Sequence, residues 1–235
     1  KDYDVLNPFG PMVYRTDLSE DFHDFLIGGL SNSKTMGEDA RQHLVGNIEA
    51  QRQSGSIYPE DKFVKFIDPH VINYVTERHE RHNSVRRLCN LPETPWRPEK
   101  SEIRYDLNLG PWVNFQRKHE FNPLHNHAGI FSAIIFIDIP DEIEHERERS
   151  TFNAKANGCL ELFHMNQHLI VKPKSGVMFL FPAYLWHSVY PFTSDVERVT
   201  MSFNIHNLII DGELITPFDD LVFYNKADPE PNELD

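Results

Sequence analysis

The hydrophobic period changes near residue 101, and this change constrains the fold more than any other feature of the chain. Upstream, apolar residues recur at a spacing near 3.6, which is typical of amphipathic helices. Downstream, apolar and polar residues alternate in short runs separated by Gly, Pro, Asn and Asp. Eight runs are predicted to be strands: Ile103 to Leu109, Trp112 to Gln116, Ile130 to Ile139, Cys159 to His164, His168 to Val171, Val177 to Phe181, Ser188 to Tyr190 and Arg198 to Ile205. Strands with no helix between them predict an antiparallel barrel or sandwich.

Helices are predicted to precede this β region. The first begins after the N-cap residue Ser19, which is followed by the acidic residues Glu20 and Asp21, and should continue to about Gly29. The second covers Pro59 to about Leu88, where Pro69 should kink the run or divide it. Residues 31–58 are predicted to be a loop with room for one helical turn, and residues 141–157 a solvated loop or, alternatively, a lid.

We interpret the 235 residues as a single domain. In it, residues 1–100 form a helical support, residues 101–210 the β core, and residues 211–235 a C-terminal extension. The acidic tail from Ala227 onward is expected to be mobile, because it contains two prolines and four acids.

Charge and composition exclude several classes of protein. A formal net charge of −13 argues against a general nucleic-acid surface, which needs clustered Lys and Arg. No run approaches the roughly 18 apolar residues of a membrane span, so we expect a soluble, cytoplasmic protein. The two cysteines, Cys89 and Cys159, argue against a disulfide framework. The 13 histidines point instead towards a metal.

The sequence Pro123-Leu124-His125-Asn126-His127 carries the strongest chemical signal. On extended backbone, His125 and His127 point to the same face with their Cα atoms about 6.6 Å apart, so both could bind one metal ion. His187 could close the site, and Arg198 would offer a guanidinium fork to the carboxylate of a small organic acid. This arrangement is typical of a metal-dependent oxygenase.

The run from Arg198 alternates strictly between polar and apolar residues. Its polar members are Arg198, Thr200, Ser202, Asn204 and His206. Such a face can look towards solvent or towards a pocket with equal ease. The preceding sequence from Phe181 to His187 is too apolar for an ordinary surface loop, and this favours the pocket.

At this point the chain resembles a known family, the Fe(II)/2-oxoglutarate-dependent dioxygenases. It is similar to their prolyl-hydroxylase-like group, which is common in marine bacteria and tailed phages. The matching stretches lie between about residues 110 and 206: Pro123 to His127, Ser132, Gly158 to Leu162, Pro173 to Gly176, Phe179 to Pro182, His187 to Pro191, and Glu197 to Asn204.

The resemblance implies a double-stranded β-helix, a jelly-roll fold related to cupins. It also implies Fe(II), with 2-oxoglutarate and O2 as cosubstrates, and hydroxylation of an unactivated C–H bond with formation of succinate and CO2. His125 and His187 would bind the metal, while Arg198, helped by Thr200, would bind the distal carboxylate of 2-oxoglutarate. His127 stands where the family has a carboxylate ligand, which leaves the metal open between iron and zinc.

Several further residues are candidates with ordinary structural explanations beside them. Asn114, Gln116 and Ser132 could offer polar groups to the cosubstrate, although a polar strand face explains them equally well. Glu161 is the alternative to His127 as the third metal ligand. His164 and His206 could face the pocket.

Two other functions stay open on the sequence alone. One is a cupin-like enzyme with a three-histidine metal that does not use 2-oxoglutarate, and the other is a non-enzymatic jelly-roll binding protein. The expected partners are a small-molecule cosubstrate and a primary substrate that is a peptide, such as one with a prolyl residue, or a small metabolite. We expect neither nucleic-acid nor membrane binding.

Overall fold

The computed structural model describes residues 10–93, 102–149 and 154–215. Its helices are α1 (Glu20–Met36), α2 (Glu60–Leu88) and α3 (Asp141–Arg149). Its strands are β1 (Tyr14–Asp17), β2 (Glu38–Asp39), β3 (Ala50–Gln53), β4 (Ile103–Asp106), β5 (Trp112–Gln116), β6 (Asn122–His125), β7 (Phe131–Asp138), β8 (Leu160–His164), β9 (Gln167–Val171), β10 (Val177–Pro182), β11 (Trp186–Val189), β12 (Arg198–Ile210) and β13 (Glu213–Leu214).

The strands form two antiparallel sheets that face each other. The major sheet has the order β1-β10-β7-β12-β5-β3-β2, with β4 and β13 also paired to β12. The minor sheet has the order β6-β11-β8-β9. Because strands that are neighbours in space are distant in sequence, this is a jelly roll rather than a meander. The predicted fold class, a mainly β double-stranded β-helix with supporting N-terminal helices, is confirmed.

Strand β7 explains how the layers are held together. All its residues from Phe131 to Ile137 are buried, although a strand with one solvated face would alternate. One face, with Ile135 and Ile137, packs in a cluster with residues of α1 and α2. The other face, with Ile134 and Phe136, packs in the cluster between the two sheets. The helices therefore cover the outer side of the major sheet, and the space between the sheets is left for the site.

Helix α1 begins as predicted, because the Ser19 side chain accepts a hydrogen bond from the backbone N–H of Phe22 at 3.3 Å. It does not end at Gly29, and this prediction was wrong. A Cβ atom at Gly29 would collide with the ring of Tyr58, which is 1% exposed and donates from Oη to the Leu26 carbonyl at 2.7 Å. Gly29 is therefore a close-approach position within the helix, which continues to Met36.

Other local predictions also need correction. Residues 141–149 form helix α3 rather than a loop, because Ile143 and Arg147, one turn apart, are buried together and Arg147 donates to the Asn157 carbonyl at 3.0 Å. Residues 31–58 contribute strands β2 and β3 to the edge of the major sheet. Helix α2 contains Pro69 but is a single helix. The tail from Ala227 lies outside the described residues.

Among the described helices, none combines the length and the apolar character that crossing a bilayer requires.

Candidate metal centre

Three histidines meet at one end of the space between the sheets. His125 ends β6, His187 lies on β11, and the two are direct cross-strand partners. His127 lies two residues beyond β6, where its backbone N–H donates to the Ala183 carbonyl at 3.0 Å. The pairing of two non-sequential strands therefore unites a local pair of histidines with a third that is 60 positions further along the chain than His127.

The three imidazoles can share one ion. Their ligand atoms all lie within 4.8 Å of one another, so that small side-chain rotations bring them to a common metal. The ring centroids of His125 and His187 are 4.2 Å apart, and His127 lies 4.9 Å from the first and 5.0 Å from the second.

Backbone carbonyls fix the orientation of two of the rings. The Nδ1–H of His125 donates to the Pro123 carbonyl at 2.7 Å, and the Nδ1–H of His187 donates to the Leu185 carbonyl at 2.9 Å. Each ring thus keeps its Nε2 lone pair for a ligand, an arrangement that metal-bound histidines commonly show. Asn122 Nδ2 lies 3.2 Å from His125 Nε2 and donates to that lone pair.

Burial keeps these rings neutral, as metal ligation requires. Burial, reinforced by the neighbouring His125, lowers the pKa of His187 to about 3. The same two causes lower the pKa of His127 to about 4, and burial lowers the pKa of His125 as well. At neutral pH all three imidazoles are therefore free to donate lone pairs.

The histidines open into a cavity of about 230 Å³ between the two sheets. The polar face of β12 lines it throughout, with Arg198, Thr200, Ser202, Asn204 and His206. The apolar residues between them, among them Met201 and Phe203, pack with the helical layer. The alternation of this strand therefore faces a pocket and not solvent.

Arg198 lies in this cavity as a deeply buried cation. It is 1% exposed, and the Phe136 ring centroid lies 5.4 Å from its Cζ. Its Nη1 donates to Gln116 Oε1 at 2.6 Å, whereas its buried Nε and Nη2 have no hydrogen-bond partner in the part of the chain that the structure describes. Burial lowers the pKa of Arg198 to about 10, which leaves it charged at neutral pH. Buried donors without partners indicate space for an acceptor.

The other predicted cosubstrate residues have distinct positions. Thr200 is buried, and it and Asn114 line the same cavity as direct partners on β12 and β5. Ser132 also lines it and donates to Asn204 Oδ1 at 2.7 Å. Gln116 is fully buried and contacts Arg198.

Glu161 does not join the histidines, because strand parity turns it away from them. Its neighbours Leu160 and Leu162 pack in the cluster between the sheets, so Glu161 lies on the outer side of the minor sheet. There it accepts hydrogen bonds from Tyr190 Oη at 2.5 Å and from His168 Nδ1. Within the described residues, the cluster able to hold a metal consists of three histidines.

Sequence reasoning missed two residues beside the site. Asn122 lies on β6, a strand that was not predicted, and its contact with His125 has no signal in the spacing. Gln51 comes from the stretch predicted to be a loop, and its amide lies 2.9 Å from that of Asn114. His206, which the sequence analysis named among the histidines that could face the pocket, does line the cavity.

Residues 110–204 match the sequence model of a family described as "Putative 2OG-Fe(II) oxygenase". This stretch contains the three histidines and Arg198. The search of curated proteins found no match to this sequence.

Solved structures with similar backbones have low sequence identity. An oxidoreductase of the 2OG-Fe(II) oxygenase family from Burkholderia pseudomallei is 15% identical, with 46% of each chain covered and a TM-score of 0.34, so this chain spans about half of its length. A Pseudomonas putida prolyl-4-hydroxylase is 12% identical over 82% of this chain and 91% of that one, with a TM-score of 0.43. A Trichoplax adhaerens prolyl hydroxylase, solved with a hypoxia inducible factor peptide, is 13% identical over 84% and 83%, with a TM-score of 0.49.

Proposed function

We propose that this chain, whose β core belongs to the 2OG-Fe(II) oxygenase family over residues 110–204, hydroxylates an unactivated C–H bond with His125, His127 and His187 as metal ligands. The cofactors of this family are Fe(II), 2-oxoglutarate and O2. When bound, they supply the oxidising chemistry, with succinate and CO2 as products. The protein itself binds and orients these groups and lines the cavity with apolar side chains that exclude water.

The Nε and Nη2 donors of Arg198, which have no partner among the described residues, are the observation that supports this proposal most directly. It lines the same cavity as the three histidines and has two buried donors available. A carboxylate is the acceptor that matches a guanidinium fork best. A dicarboxylic 2-oxo acid with one end at the histidines and the other at Arg198 would satisfy both groups.

The remaining lining residues have supporting roles in the proposal. The Pro123 and Leu185 carbonyls hold two imidazole rings with Nε2 unprotonated, so that metal binding needs only the displacement of the Asn122 amide from Nε2 of His125. Phe181, whose ring lies 5.2 Å from that of His187, and Leu160 exclude water from the inner wall. Thr200 adds a hydroxyl beside Arg198.

In this proposal the primary substrate approaches past Leu109, an exposed residue of the cavity lining to which Trp112 and Gln53 also belong. The Trp112 ring lies 5.9 Å from that of His127, so a group stacked there would be close to the metal. A volume of about 230 Å³ suits a single side chain or a small metabolite beside the cosubstrate. A prolyl or other amino-acid residue of a peptide fits these dimensions.

A binding experiment and a turnover experiment together test the function. We expect 2-oxoglutarate to raise the melting temperature only of metal-loaded protein, and the Fe(II) protein to form succinate slowly in the absence of a primary substrate. Arg198→Met should abolish the stabilisation while the metal stays bound.

The control is Lys172→Met, which removes an exposed cation outside the cavity and should change neither result. Stabilisation by 2-oxoglutarate that does not need metal, or that survives in Arg198→Met, would contradict the proposal. Tight Zn(II) binding with no response to 2-oxoglutarate would favour the three-histidine enzyme that does not use this acid.

A further inference from the structure

Gln116 is the residue that contacts the buried guanidinium, and its chemistry is unusual for that position. It lies on β5 directly opposite Arg198 on β12 and is 0% exposed. Buried arginines are commonly paired with a carboxylate, because an uncompensated charge is costly to bury. Within the described residues, no carboxylate forms an ion pair with Arg198, and its side-chain acceptor is a neutral amide.

The amide of Gln116 is held in a single orientation. Its Nε2 donates to the Glu120 carbonyl at 2.6 Å and to the Tyr190 carbonyl at 3.3 Å, while its Oε1 accepts from Arg198. Turning the amide over would bring its oxygen against two carbonyls and its NH2 against a cation. The contacts on both sides therefore fix which end faces the guanidinium.

A glutamate at this position would change both sides of the arrangement. One of its oxygens would face the Glu120 and Tyr190 carbonyls without a proton to donate, and its charge would neutralise Arg198. The amide, by contrast, fixes Nη1 and leaves the full positive charge, and Nε and Nη2 have no partner within the described residues. A glutamine at position 116 thus fixes the guanidinium of Arg198 without neutralising its charge.

We propose that Gln116 is a positioning residue that aims Arg198 into the cavity and, by being neutral, reserves its charge for the distal carboxylate of the cosubstrate. This inference rests on the proposed function. It assigns to Gln116 a role through Arg198 rather than contact with the cosubstrate itself. Selectivity for a dicarboxylic 2-oxo acid over a monocarboxylic one then depends on residue 116.

The test compares two probes that differ only at the distal end. 2-Oxoglutarate and pyruvate share the 2-oxo acid group, but pyruvate lacks the distal carboxylate and one methylene of the chain that carries it. Each is titrated by calorimetry into Mn(II)-loaded wild-type protein, Gln116→Glu and Gln116→Met. We expect Gln116→Glu to weaken the binding of 2-oxoglutarate by about 100-fold, because the new carboxylate neutralises the guanidinium. Gln116→Met should weaken it by about 10-fold, because the guanidinium keeps its charge and loses only the hydrogen bond that orients it.

Neither substitution should change the affinity for Mn(II) or pyruvate by more than about twofold, since the metal ligands are untouched. Gln167→Glu, which adds the same charge on the exposed strand β9, is the matched control and should bind both acids as the wild type does. If Gln116→Glu does not fold, the ratio of the affinities of Gln116→Met for 2-oxoglutarate and pyruvate, compared with that of the wild type, tests the proposal.

The outcomes separate this inference from the proposed function. Unchanged 2-oxoglutarate binding in Gln116→Glu, or an equal loss of both acids in the variants, overturns the positioning role and leaves the function intact. Wild-type protein that does not prefer 2-oxoglutarate to pyruvate overturns the proposed function, and the role of Gln116 is lost with it.

Discussion

At the scale of single residues, His127 stands where the 2OG-Fe(II) oxygenases that this sequence resembles have a carboxylate ligand. The structure brings the His127 ring within 5.0 Å of both partner rings. A neutral ligand here leaves a bound divalent cation with its full charge, whereas an aspartate would cancel part of it. Both residue types are used at iron and zinc centres, so position 127 should tolerate either of them.

Substitutions at this position test its role. We expect His127→Ala to weaken Fe(II) binding by about 100-fold and His127→Asp to retain it within about tenfold, because only the second supplies a ligand atom. Anaerobic Fe(II) titration monitors both. Glu161→Gln serves as the comparison and should bind metal as the wild type does, since Glu161 lies on the outer side of the minor sheet. A loss of metal in Glu161→Gln would contradict this assignment.

At the scale of elements, a buried carboxylate links three neighbouring segments on the outer face of the minor sheet. Glu161 on β8 is 3% exposed and accepts from Tyr190, just after β11, and from His168 on β9. The hydrogen bond to Glu161 raises the pKa of Tyr190. Because β11 also contains His187, this network stabilises the strand that presents a metal ligand.

A double-mutant cycle measures the network. Tyr190→Phe should lower the free energy of unfolding by about 1–3 kcal/mol, since it leaves a buried carboxylate short of one donor. In a Glu161→Met background, the same substitution should cost less than about 0.5 kcal/mol because no charge is left unpaired. Urea denaturation of the four proteins gives these values. Equal costs in the two backgrounds would show that the hydroxyl acts independently of Glu161.

At the scale of the whole molecule, the helical layer and the major sheet share one core, and Tyr58 is one of its buried members. Tyr58 packs against α1 at Gly29 and belongs to the cluster that includes Phe63 of α2 and Phe203 of β12. Burial raises the pKa of Tyr58 to about 12. The folded protein therefore keeps this phenol protonated at a pH where the unfolded chain, with a pKa near 10, releases the proton.

The sign of this shift predicts alkaline destabilisation. The contribution of the Tyr58 hydroxyl is fully present below pH 10 and is lost as the pH rises towards 12, at about 1.4 kcal/mol per unit. At pH 8, Tyr58→Phe should be less stable than the wild type by about 1 kcal/mol, because it loses the bond to Leu26. At pH 11, the two proteins should be about equal. A gap that is the same at both pH values in urea denaturation would refute the assignment.

The sequence predicted the strands of the β core better than it predicted the helical region. Strand β5 has the predicted bounds, and β7 and β8 lie within one residue of theirs, because period-two alternation is a strong local signal. Helix α3 was missed because only Ile143 marks its buried face, and the contacts of Arg147 that stabilise it are tertiary. Strand β3 was missed because three of its four residues are polar, and pairing with β5 and β2 makes them a strand.

The amino-acid sequence by itself determined which side chains share a face: His125 with His127 along the chain, and Arg198 with Thr200 and its alternate neighbours on β12. This follows from the geometry of extended backbone, which is local. Only the tertiary structure decided that the polar face of β12 looks inward, that Glu161 looks outward, and that Gln116 meets Arg198 across 82 positions of sequence. Strand register over such separations is set by the packing of whole sheets, and local pattern does not specify it.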